Sequence, residues 1–157
     1  TGDLGLLTYD GEIKITGRAK DTIVLLGGEN IEPQTIESAI TSSQYIESIV
    51  VLGQDKKYLS ALIVPSKEMI LAYTNSTAKT TDVYKKILDS QPVLSLIRNE
   101  IDERICSESG FRTCERIYKF ALLPDSFTVG KELSGKQEIM RHRIVDIYKD
   151  EISTLFD

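Results

Sequence analysis

The stretch TGRAKDTIVLLGGENIEP, Thr16 to Pro33, decides how this chain is read. A Gly-Arg pair and a Lys-Asp pair precede one short apolar run, and a double glycine ends it. The run Thr22–Leu26 is β-branched and aliphatic, which predicts a short buried strand. Gly27-Gly28 then makes a turn, and Pro33 suits the first turn of a helix, where its missing N–H has no partner to lose. Ile36, Ala39 and Ile40 give that helix its apolar face.

Working outward, Leu4–Thr8 and Glu12–Thr16 read as two strands joined by Tyr9-Asp10-Gly11. Asp-Gly between strands is a hairpin signal, because glycine supplies the positive φ such turns need. On the other side, Glu47–Pro65 reads as two buried strands around a polar turn at Gln54–Lys57. A helix over residues 66–75 follows, then a polar loop at residues 75–81, then helices over 82–89 and 92–107. Leu94, Ile97, Ile101 and Ile105 make one apolar stripe on the last of these. Ile117–Leu123 is a further strand, Pro124–Glu138 a long polar loop, and Ile139–Phe156 a single amphipathic helix. Strands and helices are segregated, which predicts an α+β fold: a small, mainly antiparallel sheet flanked by helices and preceded by a β-hairpin.

The composition narrows the function. With 157 residues and 41% hydrophobic side chains, the chain holds enough apolar surface for its own core. A net charge of −5 argues against nucleic acid as a partner, since phosphate binding relies on concentrated basic charge. Cys106 and Cys114 form no CxxC pair or disulfide framework, so reduced thiols and a cytoplasmic setting are expected. Cys106, close to the apolar stripe, is expected in the core; Cys114 has no helical stripe to join and no partner base. A single histidine, His142, is incompatible with a His-rich metal centre. No segment supplies a membrane anchor, and the abrupt opening on a β-structure reads as a piece cut from a longer protein.

Each candidate site has a bland alternative. Asp3 next to a hairpin is either turn chemistry or a carboxylate accepting from a ribose diol. The hairpin brings its ends together, so Asp3 and Arg18 could hold a nucleotide, carboxylate on the sugar and guanidinium on phosphate, or form only a surface ion pair. Lys20 and Asp21 are loop residues or a hinge. Gly27, Gly28, Glu29 and Asn30 match no phosphate-binding glycine motif; they let a backbone approach a ligand or merely turn the chain. Between Gly130 and Arg143, Lys131 and Lys136 in the long polar loop and Arg141 and Arg143 in the helix after it cluster with His142. There a cation could stabilise charge on a phosphoryl or acyl-phosphate group, or simply face solvent.

Together, TGDLG, GRAKDTIVLLGGENIEPQTIE and ELSGKQEIMRHRIVDIYKDEI resemble the last third of adenylate-forming acyl-CoA synthetases, and the long-chain fatty-acid–CoA ligases most of all. The resemblance implies a C-terminal domain that swivels between two half-reactions. ATP and a fatty acid give an acyl-adenylate with Mg2+ present, and coenzyme A then displaces AMP. It implies residues 1–17 as the hairpin tail of a preceding domain, 18–21 as the hinge and 22–157 as the swivelling domain. Asp3 and Arg18 would bind the nucleotide, Lys20 and Asp21 would form the hinge, and Gly27–Asn30 would enter the thiolation site. The fragment alone would be inactive, and a greasy substrate is compatible with peripheral contact with a membrane.

The terminal motif departs from the pattern. Family members carry an adenylation lysine in a string like T-x-T-x-K-x-K-R. Aligned without gaps on Glu132-Leu133 and Arg141, this chain has Glu138 at that position and Lys136 two residues upstream. Lys136 is expected to take that role through a shifted loop. The alternative is a non-catalytic homologue acting as an acyl or nucleotide sensor or a partner-binding module.

Overall fold

A computed structural model of the protein describes residues 22–156 in full and residues 3–7 and 13–18 as backbone. Strands β1 (Asp3–Leu7) and β2 (Ile13–Arg18) form the expected antiparallel hairpin, with an irregularity between Leu4 and Gly5. The turn residues Tyr9-Asp10-Gly11 and the hinge pair Lys20-Asp21 lie outside the described residues.

The apolar run after Thr22 is shorter as a strand than expected. Only Ile23–Val24 (β3) pairs, antiparallel to Asn30–Ile31 (β4). Its side chains alternate: Ile23 and Leu25 are buried, whereas Leu26 is 65% exposed. It is a two-sided ribbon, half solvated, and not a core strand. Helix α1 (Pro33–Ile40) starts at the proline as expected and buries Ile36 and Ile40.

The central sheet has the order β5 (Ile46–Leu52), β6 (Leu59–Pro65), β7 (Ile117–Leu122). β5 and β6 are antiparallel, and β7 joins β6 in parallel. Between β6 and β7 come α2 (Lys67–Thr74), α3 (Thr81–Leu88) and α4 (Gln91–Arg104). Successive strand residues feed opposite faces. Ile49, Val51 and Ile63 pack under α1–α4, while Val50, Leu52, Leu62 and Val64 pack under the C-terminal helices. Both faces are covered, which is why β5 and β6 read as nearly unbroken apolar runs.

Three expectations change. In α4 the buried stripe is Val93, Ile97 and Ile101, with Ile105 just beyond; Leu94 is only half-buried, because the sheet lies one residue round the helix. The single terminal helix is two, α5 (Arg141–Ile147) and α6 (Lys149–Leu155), broken at Tyr148. Cys106 is not in the core. Cys114 packs against the core, and Cys106 is half-buried beside the Ser109 hydroxyl, 3.2 Å away. That hydroxyl, with local amides, draws the Cys106 thiol below its ordinary value.

No helix among the described residues is long and apolar enough to cross a membrane.

Candidate functional site

At the hairpin, the β1–β2 register sets Asp3 opposite Arg18, so the backbone brings together the two residues expected to share a nucleotide. The second piece is the tip of the β3–β4 hairpin. The Leu25 amide donates to the Glu29 carbonyl at 3.0 Å and the Gly28 amide to the Leu25 carbonyl at 2.8 Å, closing a tight turn. Gly28 lies at φ +88 with open space where a Cβ would stand, so its requirement is conformational. At Gly27 a Cβ would meet only the Glu29 carboxylate, 2.6 Å away on a flexible side chain. The turn is fastened on both sides. The Leu26 amide donates to the Lys56 carbonyl at 2.9 Å, and Arg112 Nη2 donates to the Asn30 carbonyl at 2.7 Å.

The third piece is the loop carrying Lys136. Leu133 and Ile139 form an isolated antiparallel bridge, which makes residues 134–138 a turn with Lys136 at its apex. The Gln137 amide donates to the Ser134 carbonyl at 2.8 Å, with Gln137 in the left-handed region at φ 62. Ser134 Oγ accepts from the amides of Lys136 (3.3 Å) and Glu138 (3.2 Å). Lys136 is exposed at the tip. Glu138 sits back at the base, where its carbonyl accepts from the Ser134 amide at 2.8 Å and its side chain lines a groove of about 620 Å³. Thr22, Ile23, Gln54 and His142 line the same groove, joining the start of the ribbon to the foot of the Lys136 turn.

The other basic residues of the cluster have partners on the chain, and Arg141 is the most enclosed of them. Arg143 donates to the Gly130 carbonyl at 2.8 Å, and Lys131 Nζ lies 3.7 Å from Glu132. Arg141 Nη1 donates to Glu37 at 2.8 Å and to the Val51 carbonyl at 2.6 Å.

Two carboxylates escaped the sequence reading. Glu37 is buried on the α1 face beside Ile36 and Ile40, and a charge at a core position requires partners. Glu132 is 2% exposed and accepts from the Thr128 amide and the Tyr148 hydroxyl, both at 2.9 Å. Burial opposes its charge, but these two donors and Lys131 outweigh burial and hold the carboxyl below its ordinary value. Burial and the Glu132 hydrogen bond push the Tyr148 phenol upward in turn. Among the described residues no cluster of His, Cys, Asp and Glu could hold a metal ion.

A family model described as AMP-binding enzyme C-terminal domain matches residues 20–157. The chain is 37% identical, over 93% of its length, to the long-chain-fatty-acid–acyl-carrier-protein ligase AEE15 of Arabidopsis thaliana, and covers 18% of that protein. It is 30% identical, over its whole length, to the long-chain-fatty-acid–CoA ligase FadD15 of Mycobacterium tuberculosis, and covers 26% of it. The adenylation domain of a carboxylic acid reductase from Segniliparus rugosus, solved with AMP and a carboxylic acid, superposes with a TM-score of 0.81. That match is at 25% identity and covers 99% of this chain and 23% of that one. The chain therefore spans about a fifth to a quarter of the length of these relatives.

Proposed function

We propose that this chain, which belongs to the AMP-binding enzyme C-terminal domain family, serves a fatty-acyl ligase that adenylates a fatty acid with ATP and then passes the acyl group to a thiol. The acceptor is coenzyme A, and residues 22–157 turn on residues 18–21 between the half-reactions while 1–17 stay with the nucleotide. The acyl and triphosphate sites belong to a preceding domain of the kind that makes up the rest of the relatives' length. Asp3 accepts from the ribose hydroxyls and Arg18 contacts the nucleotide. The Gly27–Asn30 turn enters the site for thioester formation.

One observation carries the reading: the turn at residues 134–138 raises Lys136 to its apex and draws Glu138 back to its base. A cation at the apex can reach the carboxylate and α-phosphate across the domain interface, where transition-state charge develops. A glutamate at the apex would oppose it; Glu138 stands two residues further on, beside the Leu133–Ile139 bridge. The Mg2+ that the resemblance implies would enter with ATP, since among the described residues no cluster of His, Cys, Asp and Glu could hold a metal ion.

The test uses the full-length protein carrying this sequence. Wild type, Lys136→Ala and Glu138→Lys are assayed for fatty-acid-dependent ATP–pyrophosphate exchange and for acyl transfer from a supplied acyl-adenylate. The expected result is loss of exchange in Lys136→Ala with transfer retained. A silent wild type that Glu138→Lys restores would instead support a lapsed enzyme acting as a sensor.

A second reading changes only the acceptor. The 37% identity to an acyl-carrier-protein ligase favours a protein-borne pantetheine thiol. Supplying coenzyme A and a loaded-ready acyl carrier protein in parallel decides between them.

A further inference from the structure

We propose that Glu132 is a positioning residue for Lys136: its buried carboxylate fixes the root of the turn at residues 134–138. The proposal rests on the adenylation role given to Lys136 above.

Both legs of the turn start from Glu132. One leg follows directly through Leu133; the other returns at Met140, whose amide donates to the Glu132 carbonyl at 2.9 Å. Beneath them the chain curls around the carboxylate. The amides of Lys131, Glu132 and Leu133 all reach the Thr128 carbonyl at 3.1 Å, and the Thr128 amide returns to Glu132 Oε2 at 2.9 Å. Glu132 Oε1 accepts from the Tyr148 hydroxyl at the break between α5 and α6. The root is thus tied to the helical layer through one side chain.

The choice of carboxylate is informative. Burying a negative charge costs several kcal/mol before its partners offset it. An apolar side chain would fill the same space without that cost, but it would leave the Thr128 amide unanswered. Both partners are donors, and an ionised carboxylate is acceptor-only, so the network has one polarity and one geometry. That suits a tip whose lysine must be held within about 0.5 Å of its working position. Misplacing a reacting group by about 1 Å can cost about a hundredfold in rate.

The test again uses the full-length protein. Glu132→Gln keeps the shape but sets an amide donor against donors, and Tyr148→Phe removes one bond while leaving the carboxylate. Each is combined with Lys136→Ala; pyrophosphate exchange is measured at steady state over a range of ATP concentrations, and acyl transfer by single turnover. Glu132→Gln is expected to lower kcat for exchange at least tenfold, with KM for ATP and acyl transfer within twofold. Tyr148→Phe is expected to show the same split at about threefold. In the Lys136→Ala background neither should add a further loss, because both act through that lysine. Equal loss in both half-reactions, or losses that multiply with Lys136→Ala, would show Glu132 to be merely structural and overturn the proposal. Should Lys136→Ala itself keep exchange, the role of Lys136 fails first and the positioning role goes with it. Loss in Lys136→Ala with full activity in both other single variants overturns the positioning role alone.

Discussion

Glu37 and Arg141, 104 residues apart in sequence, meet over the free edge of β5. Glu37 Oε1 accepts from the Val51 amide at 2.9 Å and Arg141 donates to the Val51 carbonyl at 2.6 Å. The pair thus takes both main-chain groups of Val51, one of the positions at which a fourth strand would have paired. At the opposite edge, Arg98 on α4 donates to the carbonyls of Ile117 and Tyr118, both at 2.6 Å, and stacks over Phe120. Each outer strand of the sheet is closed by an arginine from a helix, which blunts edges that could pair with another chain.

Removing either member of the Glu37–Arg141 pair leaves a buried charge and an unanswered main-chain group. Glu37→Ala and Arg141→Ala are each expected to lower unfolding free energy by about 3–5 kcal/mol in urea titrations. An isolated buried pair replaced by two apolar residues is often neutral. Here Glu37→Leu with Arg141→Met should still cost about 1–3 kcal/mol, because the Val51 amide and carbonyl remain orphaned. A neutral double variant would sink the edge-closing role.

Arg98→Lys is expected to destabilise by about 1 kcal/mol or more despite keeping the charge. A lysine cannot reproduce the planar fork that spans two consecutive carbonyls. Arg98→Met should fall close to it if the hydrogen bonds matter more than charge, and thermal melts of the two variants compare them.

At the β3–β4 tip the two glycines should behave differently. Gly28→Ala forces a Cβ into the left-handed region and is expected to cost about 1–2 kcal/mol. Gly27→Ala need only displace the Glu29 side chain and should be nearly silent in stability. In the full-length protein, Gly28→Ala should slow acyl transfer more than pyrophosphate exchange. The reverse order would remove this turn from the thiolation step.

Stability should fall at both ends of the pH scale. Burial and the nearby Glu47 carboxylate push the Tyr84 phenol up to about 12. The unfolded chain ionises it near 10, so stability is full below that value and falls by roughly 2–3 kcal/mol as pH rises towards 12. Its hydroxyl is buried without a hydrogen-bond partner among the described residues. Tyr84→Phe should therefore flatten the alkaline slope and leave stability at pH 7 unchanged or higher. Glu132 works in the opposite sense. Its carboxyl lies below the ordinary value of 4.5, so its contribution is present above that value and is lost as pH falls through the lowered one. Glu132→Gln should flatten the acid limb, read from urea midpoints across pH.

What the sequence disclosed follows from how local each signal is. β5, β6 and α1 were readable because their apolar periods and Pro33 act within a few residues. The break at Tyr148 was not: no proline or glycine marks it, and the side chain there is bonded to Glu132, 16 residues earlier. The Leu94 stripe slipped by one residue because helix pattern fixes a face only to within a neighbour, and the sheet beneath chose Val93. At the site, the motifs pointed to the Gly27–Asn30 turn and to Lys136. They were silent on Glu37 and Glu132, whose roles exist only once distant elements are packed together.

The parallel seam between β6 and β7 carries a kinetic consequence. Parallel neighbours cannot be joined by a tight turn, and here α2, α3 and α4 stand between them in the chain. β5 and β6 form a local hairpin whose loop closes early, whereas β7 must wait for a long segment to be gathered first. Substitutions at the β5–β6 contact, such as Ile49→Val, should therefore slow folding. Leu122→Ala in β7 should chiefly speed unfolding. The last strand expected to arrive is also the lead-in to the Lys136 loop, so that turn should be assembled only once the rest of the sheet has committed.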